Sequence, residues 1–301
     1  MNELDAAGIY DYRLRESYAE CKRLNALHGK TYYLATLLLP KSKRPYVHAL
    51  YGFARFADEI VDDLSSTLSP EEKAEALTKW SSKVLRDLKN GTSEDPIGRA
   101  LVDTARKFDI PHQHFVDFLH SMTMDLTVTT YQTYEDLLEY VYGSAAVIGL
   151  EMVPVLGYNN KLAFESAKKL GIAFQLANFI RDVGEDLDRG RIYLPLNELA
   201  EHGVTPEALY KRTLTPEIIS ALKFQIERVR QLQKEAEAGI QFLDKESRSC
   251  IRAASELYCG IVDEVEAINY DIFRKRAKTS MWRRGRVAAV AYQQAISARI
   301  R

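Results

Sequence analysis

The sequence contains few of the residues that interrupt helices or build disulfide scaffolds. Its 301 residues include nine prolines, fifteen glycines and three cysteines. Three scattered cysteines are too few for a disulfide framework and are typical of a reducing compartment. The formal net charge is only −1, which argues against nucleic-acid binding driven by bulk positive charge. We therefore expect a cytoplasmic protein without a nucleic-acid partner.

Long apolar runs and targeting segments are also scarce. The opening residues, MNELDAAGIYDY, show neither the basic cluster nor the apolar stretch of a secretory signal. The most apolar stretch, 140–157, carries Glu151 and is interrupted by two glycines and a proline. A membrane span needs about 20 predominantly apolar residues. We interpret this stretch as a helix in a large core.

Helical periodicity dominates what remains. Strand-like alternation bounded by tight turns is absent, and proline followed by glutamate marks helix starts near 70, 206 and 216. No low-complexity linker or repeat divides the chain, so we predict one all-α domain over residues 1–301. The predicted helices lie near 10–27, 31–38, 44–63, 70–89, 97–108, 112–127, 133–153, 160–187, 215–243, 246–276 and 287–299.

Two predicted helices each carry a single polar stripe on an otherwise apolar surface. In the segment HALYGFARFADEIVDD (48–63), the stripe residues are spaced four, three and four apart. In GIAFQLANFIRDVGEDLDRGRIYLP (171–195), the spacing is three, four and four. Such spacing places the residues of each stripe on one helix face, and the apolar surroundings indicate buried helices. The stripes consist of Tyr51, Arg55, Asp58 and Asp62, and of Gln175, Asn178, Asp182 and Asp186.

The charge of these stripes points to a chemistry. Buried carboxylates are costly unless cations share the site, and oxygen ligands without histidine or cysteine suit Mg²⁺, with Mn²⁺ as an alternative. Mg²⁺ prefers a few carboxylates together with phosphate oxygens, so a diphosphate is the expected ligand, with Lys30, Arg55 and Arg181 adding positive charge. No phosphate-binding glycine loop occurs. We predict ionisation of an allylic diphosphate in an apolar cavity. Aromatic side chains such as Tyr140 could line this cavity and stabilise the carbocation, although for each aromatic taken alone core packing is the more common role.

These segments resemble a known family, the all-trans squalene and phytoene synthases. DEIVDD at 58–63 and QLANFIRDVGEDLDRGRIYLP at 175–195 are similar to its two aspartate-rich motifs, and segments 32–55, 140–152 and 258–277 also fit. The resemblance covers nearly the whole chain. It implies a single helical isoprenoid-synthase domain with a central cavity. It also implies head-to-head condensation of two prenyl diphosphates through a cyclopropylcarbinyl diphosphate.

The resemblance further implies roles for individual positions. Many members have serine where Gly29 and Thr31 stand, and Gly29 cannot supply a side-chain hydroxyl. The implied metal ligands are Asp58, Asp62, Asn178 and Asp182, with Asp186 as a ligand or an acid beside them. The implied catalytic residues are Arg55, Asp58, Asp62, Asp182 and Asp186. The implied substrate contacts are His28, Gly29, Lys30, Thr31, Tyr51, Arg55, Tyr140, Gln175, Arg181 and Tyr270.

Substrate length is an open choice at this stage. Members that use C15 substrates tend to have a bulky aromatic near the position of Thr36, so a small residue there favours C20 substrates. The expected reaction is then phytoene formation from two geranylgeranyl diphosphates, without NADPH, in carotenoid biosynthesis. The alternatives are a C30 synthase that makes squalene or dehydrosqualene from farnesyl diphosphate, a terpene cyclase, and a non-catalytic member of the same fold. We expect a monomer or a homodimer.

The C-terminal segment is basic. Residues 274–301 contain nine lysines and arginines and no acid. One interpretation is a solvated helix end. The other is peripheral docking on the anionic inner face of a membrane, to which each basic residue near the surface contributes roughly 1 kcal/mol.

Overall fold

The fold is known from a computed structural model that describes residues 2–62 and 69–300, except for the side chains of Thr31, Asp62, Pro70, Arg299 and Ile300. Within these residues the regular structure is helical and contains no β-strand. This confirms the predicted all-α class. The helices are α1 (Glu3–Ala6), α2 (Tyr12–His28), α3 (Lys30–Thr36), α4 (Arg44–Asp62), α5 (Pro70–Asn90), α6 (Pro96–Lys107), α7 (His112–Met124), α8 (Tyr134–Val141), a π-helical segment (Tyr142–Ala146), α9 (Val147–Leu156), α10 (Leu162–Asp188), α11 (Leu196–Glu201), α12 (Pro206–Tyr210), α13 (Pro216–Glu237), a 3₁₀ turn (Ile240–Phe242), α14 (Lys245–Cys259), α15 (Ile261–Ala267) and α16 (Met281–Ile300).

The predicted helix starts are confirmed by their caps. The side chains of Ser69, Thr205 and Thr215 each accept a hydrogen bond from a backbone N–H three residues ahead. These bonds satisfy donors that a helix start leaves without partners. The short helices α1 and α11 were not predicted, since they are too short to show periodicity.

One predicted helix, 246–276, is wrong. The chain forms α14 and α15, which meet at Gly260, and the helix ends at Ala267. A Cβ at Gly260 would lie 2.3 Å from the Arg283 guanidinium, so this position is closely packed against α16. Asn269 and Tyr270 then adopt positive φ angles of 54° and 61°. This left-handed backbone cannot continue a right-handed helix.

The core consists of two apolar clusters. The first joins α2, α4, α5, α6 and α7, and the second joins α8, α10, α13 and α15. Tyr142 and Ile251 pack against both clusters. Of the two helices that carry the stripes, α4 contributes to the first cluster, whereas α10 contributes mainly to the second, so the stripes can meet where the two clusters adjoin.

The apolar stretch identified in the sequence lies in a continuous helix, Tyr134–Leu156. By length and composition alone it could cross a membrane, but 44% of its most apolar part is buried inside the protein. The helix packs closely on α10, because a Cβ at Gly149 would lie 2.5 Å from the Ala167 carbonyl oxygen. These contacts support its interpretation as a core helix.

Candidate active site

A polar cavity of about 780 Å³ lies between α4 and α10. Both polar stripes reach it, α4 through Arg55 and Asp58, and α10 through its four stripe residues. The side chains that line this cavity are those of His28, Arg55, Asp58, Glu59, Asp125, Tyr140, Gln175, Asn178, Phe179, Arg181, Asp182, Glu185, Asp186, Arg189, Tyr193 and Arg276.

A second cavity, of about 430 Å³, is mainly apolar and adjoins the first. Its wall includes Tyr32, Thr36, Tyr51 and Phe174. The two cavities share four lining residues, so they meet along one junction. The shared residues are Arg55, Asp58, Tyr140 and Gln175. The arrangement suits an amphipathic ligand with a charged head in one cavity and an apolar chain in the other.

On the α4 side, arginine and acids form one group. The Arg55 guanidinium donates from Nη1 to Asp58 Oδ2 at 3.0 Å and from Nε to Glu59 Oε1 at 3.1 Å. Nε2 of His28, the last residue of α2, lies 3.5 Å from Glu59 Oε1. All of these side chains are partly exposed, so the pairs orient Arg55 towards the cavity more than they stabilise the fold.

On the α10 side, Asp182 is held by two arginines. Arg181 donates to both carboxylate oxygens, and Arg276 donates to them at 3.0 and 3.2 Å. Burial alone would raise the pKa of Asp182, but the hydrogen bonds from Arg181 and Arg276 outweigh it and lower the pKa. Asp182 is therefore ionised.

One turn further along α10, the pKa of Asp186 is shifted in the opposite direction. Burial, together with the nearby charge of Asp182, raises the pKa of Asp186 to about 7. On the same stripe, the buried Oδ1 of Asn178 has no hydrogen-bond partner among the described residues. A raised carboxyl pKa and an amide oxygen without a donor both indicate a place where a cation would be favourable.

The chemical type of the side-chain ligands fits a hard divalent cation. Asp58, Asn178, Asp182 and Asp186 offer only oxygen, the ligand type that Mg²⁺ prefers. Among the described side chains, no three histidine, cysteine or acidic groups stand together as a ready-made metal cage. This agrees with the tendency of Mg²⁺ to bind through few carboxylates plus phosphate oxygens.

The glycine that departs from the family pattern has a steric reason. A Cβ at Gly29 would lie 2.6 Å from Asn25 Oδ1 and 2.7 Å from the Tyr51 ring. Serine could stand here only if these neighbours moved.

Other predicted site residues lie elsewhere. Lys30 is exposed on α3 and is absent from the described linings of both cavities. Tyr270 is likewise outside both linings, with its hydroxyl 3.4 Å from Glu266 Oε1. The backbones of Thr31 and Asp62 belong to α3 and α4, but their side chains fall outside the described residues.

Seven lining residues were missed by sequence reasoning. Four of them lie beside the stripes, on or directly after α4 and α10: Glu59, Phe179, Glu185 and Arg189. The other three come from elsewhere: Asp125 directly follows α7, Tyr193 lies in the segment after α10, and Arg276 comes from the basic C-terminal segment. None of these three belongs to a periodic pattern. A signal was available only for Arg276, as the expected countercharge of an acidic stripe.

Comparison with known proteins identifies the family. The sequence profile described as squalene/phytoene synthase matches residues 26–283. The chain belongs to the squalene/phytoene synthase family. It is 38% identical to a chloroplastic phytoene synthase of Daucus carota, over 99% of this chain and 75% of that protein. It is also 38% identical to a 15-cis-phytoene synthase of Synechococcus elongatus, over 90% of this chain and 91% of that protein.

Solved structures of squalene/phytoene synthase relatives share the fold. A dehydrosqualene synthase crystallised with a ligand superposes with a TM-score of 0.85 at 27% identity, covering 94% of this chain and 98% of that one. The squalene synthase HpnC from Alicyclobacillus acidocaldarius gives a TM-score of 0.80 at 24% identity, covering 88% and 98%. These matches confirm the isoprenoid-synthase fold predicted from the sequence.

Proposed function

We propose that the protein is a phytoene synthase. In this reaction two geranylgeranyl diphosphates join head to head through a cyclopropylcarbinyl diphosphate and give phytoene, with release of both diphosphates and two protons. The observation that carries the proposal is the junction of a charged and an apolar cavity at Arg55, Asp58, Tyr140 and Gln175. The identity with phytoene synthases of plants and a cyanobacterium supports the C20 substrate.

The protein's own groups have distinct tasks in this proposal. Arg55, Arg181, Arg189 and Arg276 reach the polar cavity, where guanidinium groups bind diphosphate oxygens. The apolar cavity holds the prenyl chains and keeps water from the carbocation. Tyr32 and Phe174 line it, and aromatic rings stabilise positive charge nearby.

We assign the metal role to Asp58, Asn178, Asp182 and Asp186, with Asp62 as implied by the family resemblance. Bound Mg²⁺, or Mn²⁺ in its place, would supply Lewis-acid polarisation of the leaving diphosphate.

Six carboxylates and four arginines line the polar cavity, a formal excess of two negative charges. A diphosphate entering without cations would therefore meet net repulsion. Calorimetry should detect binding of inorganic diphosphate with Mg²⁺ and little binding in EDTA; equal binding in both would contradict the assignment.

The function is tested by a product assay. Purified protein is incubated with Mg²⁺ and the C20 or the C15 prenyl diphosphate, with and without NADPH, and hydrocarbons are extracted. A C40 product from the C20 substrate without NADPH is expected. C30 product alone would move the assignment to a squalene or dehydrosqualene synthase, the alternative favoured by the similarity to a dehydrosqualene synthase structure. No product from folded protein would favour a non-catalytic role.

A matched pair of variants links product to site. Asp182→Asn removes a carboxylate held by two arginines in the cavity, and we expect it to abolish product formation. Asp263 is also held by two arginines, Arg230 at 3.0 Å and Arg283 at 2.9 Å, outside both cavity linings. Asp263→Asn should leave activity within about twofold, because it perturbs only a surface ion pair.

We also propose peripheral membrane contact through α16. Met281, Trp282 and Tyr292 of this helix are 79%, 91% and 61% exposed. Part of the basic charge is already neutralised, because Arg283 pairs with Asp263 and Arg286 with Glu256. Exposed aromatic and apolar side chains with neighbouring cations suit a lipid interface. The cytoplasmic location expected from the sequence stays a prediction.

Vesicle binding tests this contact. The chain has two tryptophans, so Trp80→Phe leaves Trp282 as the reporter. We expect a blue shift of its fluorescence with vesicles containing anionic lipid, weakened by salt. No shift, or a shift that salt does not affect, would contradict docking by charge.

A further inference from the structure

A carboxylate beside the polar cavity holds two phenols. Asp125 accepts hydrogen bonds from the Tyr140 hydroxyl at Oδ2 (2.7 Å) and from the Tyr193 hydroxyl at Oδ1 (3.0 Å). Its side chain is only 9% exposed. Arg191 donates to the Asp125 carbonyl oxygen at 2.6 Å and to the Tyr193 oxygen at 3.3 Å. The group is therefore fixed from several directions.

Helix α7 aligns both ends of the Asp125–Tyr140 pair. Asp125 directly follows α7, and Ser121 of the same helix donates to the Tyr140 backbone carbonyl at 2.9 Å. Tyr140 lines both cavities, and its hydroxyl lies beside Asp125, a residue of the polar cavity. The Tyr140 ring thus reaches from the polar cavity to the apolar cavity at their junction.

The direction of these hydrogen bonds has a chemical consequence. An ionised carboxylate only accepts, so each phenol commits its single proton to Asp125. Burial first, and then the charge of Asp125, raise the pKa of Tyr140 well above its usual range, so the phenol stays protonated. Its oxygen then has lone pairs, and no proton, to offer to a group in the cavity.

We propose that Asp125 is a positioning residue that turns the Tyr140 hydroxyl oxygen into a hydrogen-bond acceptor at the junction of the two cavities. This inference rests on the proposed function. An electron-rich oxygen held there stabilises the positive charge that develops on the prenyl chain as the diphosphate leaves. A phenol free to turn could donate its proton to the leaving group instead.

The test variant is Asp125→Asn, which keeps the size but replaces one acceptor by an amide donor. One phenol would then lose its acceptor, and the charge that orders both would be gone. We expect kcat to fall by about tenfold or more, the usual effect of a hydrogen bond to a charged group, with KM for the prenyl diphosphate within about twofold. A rise in KM as large as the fall in kcat would overturn the inference, and so would an unchanged kcat.

The matched control lies in the core between α2 and α6. There the Tyr18 hydroxyl donates to Asp103 Oδ2 at 2.7 Å, the same bond outside both cavity linings. Asp103→Asn should leave kcat within about twofold. A loss equal to that of Asp125→Asn would mean that the effect is structural and would overturn the inference.

A double-mutant cycle decides whether Asp125 acts through Tyr140. In a Tyr140→Phe background, Asp125→Asn should change kcat by less than about twofold, because the group it positions is gone. A further fall as large as in the wild type would refute positioning through Tyr140. If Asp125→Asn does not fold, Tyr140→Phe is compared with Tyr18→Phe, which removes the matched phenol outside both cavity linings. We expect a large loss of kcat only in Tyr140→Phe, and equal losses would overturn the inference. A wild type without product would contradict the proposed function instead.

Discussion

Glu151 offers a sharp test of how the core around the cavity is built. Its side chain is fully buried in α9, and neither carboxylate oxygen has a hydrogen-bond partner among the described residues. Burial raises the pKa of Glu151 well above its usual value of 4.5. The folded protein therefore keeps a proton that the unfolded chain has already lost at neutral pH.

The sign and size of the effect follow from proton linkage. Because the folded pKa is raised, the contribution of Glu151 to stability is greatest below pH 4.5 and is lost as pH rises towards the folded pKa. The loss is about 1.4 kcal/mol per pH unit in that interval. Glu151→Gln resembles the protonated acid and does not titrate, so it should equal the wild type near pH 4. Above that pH its free energy of unfolding should exceed that of the wild type by an increasing amount. The difference should grow by up to about 3 kcal/mol between pH 5 and 7.

The assay is urea unfolding at a series of pH values. Glu151→Met should already be more stable than wild type by about 1–3 kcal/mol near pH 4, because it removes a buried polar group without a partner, and this gap should widen with pH as it does for Glu151→Gln. Glu201→Gln, at an exposed position at the end of α11, is the control and should follow the wild-type curve. If the curves of wild type and Glu151→Gln run parallel from pH 5 to 7, Glu151 does not hold its proton in the folded state and the reasoning is refuted.

Three further predictions concern substrate length, acid stability and domain organisation. Thr36 is buried and lines the apolar cavity, so Thr36→Phe should lower kcat/KM for the C20 relative to the C15 diphosphate by at least about tenfold. Thr36→Ser is the control, and an unchanged ratio in Thr36→Phe would contradict a role of Thr36 in selecting substrate length. Burial lowers the pKa of His48 from 6.5 to about 4, so the free energy of unfolding should fall by about 3 kcal/mol as pH drops from 6.5 to 4. Urea unfolding of His48→Gln should not show this fall. If the variant loses as much stability as the wild type over this pH range, His48 is not the source. We propose that residues 1–301 form one domain, because Tyr142 and Ile251 pack against both core clusters; far-ultraviolet circular dichroism and tryptophan fluorescence should report one coincident transition, and two separate transitions would contradict it.

The stripes could be found in the sequence because their geometry is local. Three- and four-residue spacing on an apolar helix fixes which side chains share a face, and six of the eight stripe residues line the polar cavity. A seventh, Tyr51, lines the apolar cavity. The side chain of the eighth, Asp62, lies outside the described residues.

The residues that were missed reach the cavity across long stretches of chain. Asp125 accepts a hydrogen bond from Tyr140, 15 positions away in sequence, while Tyr193 and Arg276 contact site acids that lie 68 and 94 positions away. No local periodicity encodes such contacts, since they depend on how helices pack. The single helix predicted over 246–276 is wrong because tertiary packing overrides the local pattern. Its local pattern is helical, but the close packing at Gly260 and the left-handed backbone at Asn269 interrupt it.

The direction of the stripes relates the helices to the proposed chemistry. On α4 the stripe passes from Tyr51 in the apolar cavity to Asp58 in the polar cavity, and on α10 the acids Asp182 and Asp186 lie in the last two turns. The polar cavity is therefore next to the C-terminus of α10, where the partial charge of the backbone is negative. An anion gains nothing from such an end, whereas a cation is stabilised by it and by the carboxylates together. A diphosphate can bind here only through positive charge placed between it and the helices, which is the role we assign to the arginines and to Mg²⁺.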